Sequence, residues 1–128
     1  MDNLYTFKKS ERISSQREID RLFKQGNAFI SYPLRIIFLE QKPCSESVIS
    51  VLISVPKKNI KHAVKRNRIK RLIREAYRLN KHSLIRHYQE KDFGLLIAFL
   101  YIGNELCQHN DVETAIQKAF NILFGKNE

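Results

Sequence analysis

The sequence predicts an α+β or split α/β domain in the order helix, two or three strands, helix, strand, helix. Three observations carry that prediction. Apolar residues recur at helical spacing in three separated stretches. Runs of strand length, rich in Ile, Val, Leu and Phe and bounded by Gly, Pro and Ser, lie between them. No stretch repeats another, which excludes a solenoid or array. At 128 residues the chain is long enough to bury its own core, and one domain over residues 1–128 is expected.

A polar lead with Lys8, Lys9 and Arg12 opens the chain, and residues 1–14 are expected to be loosely ordered. "SQRE" then reads as a capping box, Ser15 at the N-cap and Glu18 three positions on. Ile19, Leu22 and Phe23 follow at i, i+3 and i+4, and Gly26 stops this short amphipathic helix. "AFISY" and "LRIIFLE" turn extended, with Pro33 marking the break between them. "QKPCSES" is a loop. "SVISVLISV", residues 47–55, is a strand closed by Pro56, and the simplest arrangement pairs it antiparallel with "LRIIFLE" across that loop. A second helix runs from about His62 to Leu79, and "SLIRHY" adds a turn. "GLLIAFLY", residues 94–101, is apolar without alternation, as a strand buried on both faces must be. The last helix opens at Asn110, carries Val112, Ile116, Ala119, Phe120 and Leu123 as its stripe, and ends before Gly125.

Charge narrows the function. The chain carries 23 basic and 13 acidic residues, a net of +10. Eleven of the basic residues and only one acid, Glu75, lie between Lys57 and Lys81, which leaves twelve of each sign elsewhere. The whole excess therefore sits in one segment. Solubility alone would spread it out, so the segment reads as a polyanion site. The longest apolar run is too short to cross a bilayer, and the N-terminus lacks an apolar core of signal-peptide length. A soluble, unprocessed cytoplasmic protein with no membrane partner is expected. Cys44 and Cys107 read as reduced thiols, and neither has the paired Cys or His spacing of a zinc site.

On a helical wheel with Ile69 at zero, Leu72, Ile73, Ala76 and Tyr77 fall within roughly 80°. Asn67, Lys70, Arg71, Arg74 and Arg78 fall between roughly 100° and 200°. One face packs on the sheet and the other is a cationic ridge, with Arg66 and Arg68 flanking it on either side. A membrane-surface helix would need the apolar face that the strands here use. Helix-turn-helix DNA readers need a second helix just upstream, where this chain has a strand and Pro56. On pattern alone, RNA is favoured.

"VPKKNIKHAVKRNRIKRLIREAYR" resembles the signature of the protein component of bacterial ribonuclease P: an Arg-Asn-Arg core with further basic residues, on a helix after a strand that ends in paired lysines. "IDRLFKQG", the strand pair and "DFGLLIAF" extend the resemblance over most of the chain. It implies an α+β sandwich, ribosomal protein S5 domain 2-like, of order α-β-β-β-α-β-α with a left-handed βαβ crossover. It implies a protein that binds a large catalytic RNA and with it cleaves the 5′ leader from precursor tRNA, with no small-molecule substrate. Mg²⁺ is then held mainly by the RNA, and the protein alone binds no cofactor or metal. Matching positions give RNA contacts to Arg66, Asn67, Arg68, Lys70, Arg71 and Arg74. Lys57, Lys58, Lys61, Lys65 and Arg78 extend the basic surface. The resemblance also implies a cleft for the single-stranded leader, lined by Ile19, Phe23, Arg35 and Ile37. Ile19 and Ile37 stand where the family often has aromatics, which shifts weight from stacking to shape and charge. Phe23 reads equally as a core residue of the first helix.

The histidines His62, His82, His87 and His109 form no pair suited to cleaving a phosphodiester, and His82 and His87 fall in a connector. Asp111 and Glu113 are explained as helix-start residues. No catalytic residue is expected, and the reaction belongs to the holoenzyme. The alternative is a non-enzymatic ribosomal or general RNA-binding protein of the same fold.

Overall fold

The computed structural model describes residues 13, 16–41, 49–91, 93–105 and 107–125. Three helices and four strands follow in the order α1 (Gln16–Gln25), β1 (Asn27–Ser31), β2 (Leu34–Gln41), β3 (Ile49–Ser54), α2 (Ala63–Lys91), β4 (Gly94–Tyr101) and α3 (His109–Leu123). Ser15 and Cys44 lie outside the described residues. Gly26 ends α1 for lack of space. A Cβ there would sit 2.5 Å from the Leu22 carbonyl oxygen and 2.9 Å from that of Phe38, so only glycine lets α1 turn into β1 this close to β2. Tyr32 and Pro33, joined by a cis peptide bond, link β1 to β2.

The sheet order is β1-β2-β4-β3, with β1/β2 and β2/β4 antiparallel and β3/β4 parallel. This overturns the expected β2–β3 pairing: β4 lies between them. Its composition explains the place. Leu95, Leu96, Ile97, Ala98 and Phe99 are all buried, on alternating faces, so β4 needs a neighbour on each edge and cover on both sides. The parallel β3/β4 pair requires a long crossover, which α2 supplies.

The two faces of the sheet carry separate cores. On one, Ile36, Val51, Ile97, Phe99 and Tyr101 meet α2 and α3. On the other, Ile37, Leu96 and Ala98 meet Leu22 of α1 and Ile13. Ile13 also donates its backbone N–H to the Val51 carbonyl at 2.9 Å, fixing the approach to α1 along β3.

The second helix is longer than expected, at 29 residues or about 43 Å. The expected end near Leu79 is passed without a break: Asn80 turns its amide back onto the Ala76 carbonyl at 2.8 Å, so a residue of turn-like composition is absorbed within the helix. The buried stripe continues through Lys81, Leu84 and Tyr88, and Tyr88 donates to Glu40 of β2 at 2.9 Å. His82 and His87 consequently belong to α2 and not to a connector. Helix α3 runs beside this half of α2. Gln117 bonds Asn80, Phe120 meets Tyr77 edge-on and Phe124 lies against His87. It starts one residue earlier than expected, where the Asp111 carboxylate accepts from the Gln108 N–H at 3.1 Å, and Gly125 with φ 77° follows its end.

Candidate nucleic-acid interface

The segment from Pro56 to His62 brings the chain from β3 into α2 and is tied down at several points. The N–H groups of Asn59 and Ile60 donate to the Pro56 carbonyl at 3.1 and 3.2 Å. The Asn59 side chain donates to the Tyr101 carbonyl at 3.1 Å, and Ile60 is buried in the core. Arg66 then reaches back, Nη1 donating to the carbonyls of Ile60 at 3.0 Å and Lys61 at 2.8 Å. Lys57, Lys58, Lys61 and His62 are exposed on this fixed loop.

Arg66 thus departs from its expected place as a free shoulder of the ridge. On the wheel it falls at roughly 60°, between Ile73 and Tyr77. Its side chain therefore leaves the helix toward the protein, and loop carbonyls receive part of its fork. Arg68, on the other flank, is exposed. Lys65, Asn67, Arg71 and Arg74 are exposed, while Lys70 and Arg78 are half-buried. The first buried residue of α2 is Ile69, and Val64 is 81% exposed, so the opening turns stand clear of the core.

Two cations of the basic segment are already engaged within the fold. Lys81 occupies the core stripe at 3% exposure. Its spacing, four after Tyr77 and three before Leu84, was the signal for this. Arg78 pairs with Glu75 at 2.5 Å through its guanidinium. The hydrogen bond from Arg78 holds the Glu75 carboxyl below its usual range, and the same bond raises the guanidinium of Arg78.

The expected cleft residues fall around α1 and the sheet face beneath it. Alternation along β2 puts Arg35, Ile37 and Leu39 on that face. Ile37 is buried and Ile19 packs on the same cluster, so both build the floor and do not face outward. Phe23 is 46% exposed, which speaks against a place in the core. At the end of the face carrying Arg35, the sheet register aligns Ile30, Arg35, Leu100 and Ser54 across four strands. Arg35 and Ile30 are exposed there. Ile30 was missed: "AFISY" reads as an extended stretch, and only the register shows that its Ile side chain lies beside Arg35. Arg21 of α1 bonds Gln41 of β2 and anchors the helix at the opposite end.

His109 pairs with Glu113 at 3.6 Å, and among the described residues no three His, Cys, Asp or Glu side chains gather as a metal site would require. No helix of the described residues is long and apolar enough to cross a membrane.

Comparison with known proteins agrees with this geometry. The family described as Ribonuclease P matches residues 7–122. The ribonuclease P protein component of Porphyromonas gingivalis is 44% identical over 117 residues, covering 91% of this chain and 85% of that protein. That of Chlorobaculum tepidum is 40% identical over 90 residues, covering 65% and 58%. In structure, the chain resembles the RNase P protein of Staphylococcus aureus with a TM-score of 0.70 at 21% identity, over 90% of this chain and 96% of that one. The Thermotoga maritima RNase P protein gives 0.68 at 21%, over 88% and 96%. An α+β sheet of four mixed strands with three helices, a cationic helix after the third strand and these relatives lead to one conclusion: the chain belongs to the family of bacterial ribonuclease P protein components.

Proposed function

We propose that this chain is the cytoplasmic protein subunit of an RNA-based endoribonuclease that removes the 5′ leader from precursor tRNA. The observation that carries the reading is the α2 ridge: Arg71 and Arg74 face solvent on a helix whose other side is core, with Arg68 exposed on its flank and Lys65 exposed in the opening turn. Such a surface suits the phosphates of a folded RNA, and arginine adds bidentate contacts. Lys57, Lys58 and Lys61 on the clamped loop extend it, and Asn67, Lys70 and Arg78 complete it. The face with Phe23 and Arg35 suits the single-stranded leader, a ring for stacking beside a cation for phosphate. In this reading the RNA subunit performs cleavage and holds the Mg²⁺.

The test is reconstitution with a bacterial ribonuclease P RNA at low Mg²⁺ on precursor tRNA. Cleavage well above that of the RNA alone is the expected result. Equal rates with and without the protein would overturn the reading.

A further inference from the structure

Beside the loop that opens α2, two cavities of about 570 and 620 Å³ adjoin, with Asn104 and Glu105 lining both, and together they outline a groove. Its chemistry changes along its length. The end at α2 is cationic, with Lys58, Lys61, His62 and Lys65. The other end holds Tyr32, Tyr101, Asp111 and Thr114. Tyr32 is 70% exposed at the tip of the β1–β2 turn, where nothing in the core requires an aromatic ring.

The groove is preset. Asn59 fastens the basic loop to the Tyr101 carbonyl at 3.1 Å, and the Ile102 N–H donates to the Pro33 carbonyl at 2.9 Å. The Tyr101 hydroxyl donates to the Glu105 carbonyl at 2.5 Å, and its ring lies so close over Gly103 that a Cβ there would meet it at 3.0–3.1 Å. A ligand would find these walls already ordered and would spend little of its binding energy on them.

We propose that this groove is a subsite for one unpaired RNA nucleotide: its phosphate among Lys58, Lys61 and Lys65, its base against Tyr32, and a preference for bases with an amino group. The proposal rests on the RNA-binding reading above and adds a place on the protein for a base. Each end fits one part of a nucleotide, and the shared wall makes them neighbours. Glu105 and Asp111 both line the groove, and carboxylate oxygens are hydrogen-bond acceptors. Asp111 already receives the Gln108 N–H on Oδ2, which leaves Oδ1 for a ligand. Acceptors reward the amino groups of guanine, adenine and cytosine and oppose the two carbonyls of uracil.

The test uses the full chain. Guanosine, cytidine and uridine 5′-monophosphates and inorganic phosphate are titrated with NMR detection. The guanosine and cytidine nucleotides should bind about fivefold or more tighter than the uridine nucleotide, moving the signals of Tyr32 and Asn104. Tyr32→Ala should weaken guanosine monophosphate about tenfold, the loss of one stacked base, and Tyr32→Phe should restore it. Inorganic phosphate should bind both variants alike. Equal affinity for phosphate and all three nucleotides, or no effect of Tyr32→Ala, would overturn the proposal. Arg74→Ala on the ridge separates the two readings, since weaker binding of duplex RNA there reports only on the ridge. In reconstituted holoenzyme, 6-thioguanosine is placed in either the RNA subunit or the precursor tRNA. A cross-link to Tyr32 from one of them identifies the source of the nucleotide, and none from either refutes the proposal.

Discussion

Arg66 and Arg71 look interchangeable in sequence, yet the structure assigns them different work, and paired alanine substitutions should separate them. Arg66 donates to two loop carbonyls, one part-buried at Ile60 and one exposed at Lys61. A hydrogen bond from a charged donor contributes about 1.5–3 kcal/mol. Water can replace the exposed one, so Arg66→Ala should cost about 1–2 kcal/mol on that scale. For a chain of this size the unfolding midpoint should fall by about 3–8 °C. Arg71 is exposed, so Arg71→Ala should stay within about 0.5 kcal/mol. In RNA binding, Arg71→Ala should reduce the slope of log K against log salt by about 0.9 on a duplex contact. Thermal unfolding and salt-dependent binding of both variants make the assay. Equal midpoints for the two variants would refute the clamp assigned to Arg66. An unchanged salt slope for Arg71→Ala would refute the ridge.

Glu75→Gln removes the one acid of the basic segment and releases Arg78, so affinity for RNA should rise several-fold at low salt and the gain should vanish near molar salt, as titration at two ionic strengths would show. Phe23→Ala should leave the unfolding midpoint nearly unchanged, because the ring is half exposed, while affinity for a single-stranded oligonucleotide falls about tenfold or more; a large drop in midpoint would restore the core reading of Phe23. Burial first, and then its bond to Glu40, hold the Tyr88 hydroxyl protonated well above the ordinary tyrosine range. Stability linked to Tyr88 is therefore complete below pH about 10, where unfolded tyrosines begin to ionise, and declines above it. Tyr88→Phe should flatten that alkaline decline in unfolding measurements made from pH 9 to about 11.5, a window set by the same reference value.

Much of this was legible in the sequence because the signals were local. The stripe of Ile69, Ile73, Ala76 and Tyr77 and the near-absence of acids beside it needed only helical spacing and a count. What escaped depended on partners distant in the chain. Nothing within residues 34–54 says that β4 will come between β2 and β3; that follows from the two-sided apolar character of residues 94–101, and only when weighed against the serines of β3. Arg66 and Arg68 are separated by one residue and look equivalent in a charge count. Their azimuths send one guanidinium to the loop carbonyls and the other to solvent. Lys81 was counted with the surface because it is a lysine, although its spacing from Tyr77 and Leu84 already placed it on the core side. The groove beside Tyr32 joins residues more than seventy positions apart, which no local pattern reveals.

The same helix must be core on one side and ridge on the other, and the energies show why this holds without RNA. Like charges at i, i+4, such as Lys70 with Arg74 and Arg74 with Arg78, cost about 0.2–0.5 kcal/mol each. Fully burying a large apolar side chain contributes about 1.5–3 kcal/mol, and Ile69, Ile73, Leu84 and Tyr88 are each buried completely. The stripe therefore outweighs the repulsion several times over. The ridge is presented already ordered, so an RNA bound there as proposed would neutralise charges whose repulsion the core has absorbed and would not have to fold the helix first. On the opposite face of the sheet, Phe23 and Arg35 lie outside the cluster that secures α1, so in the proposed reading changes there would alter recognition while the larger core beneath α2 stays intact.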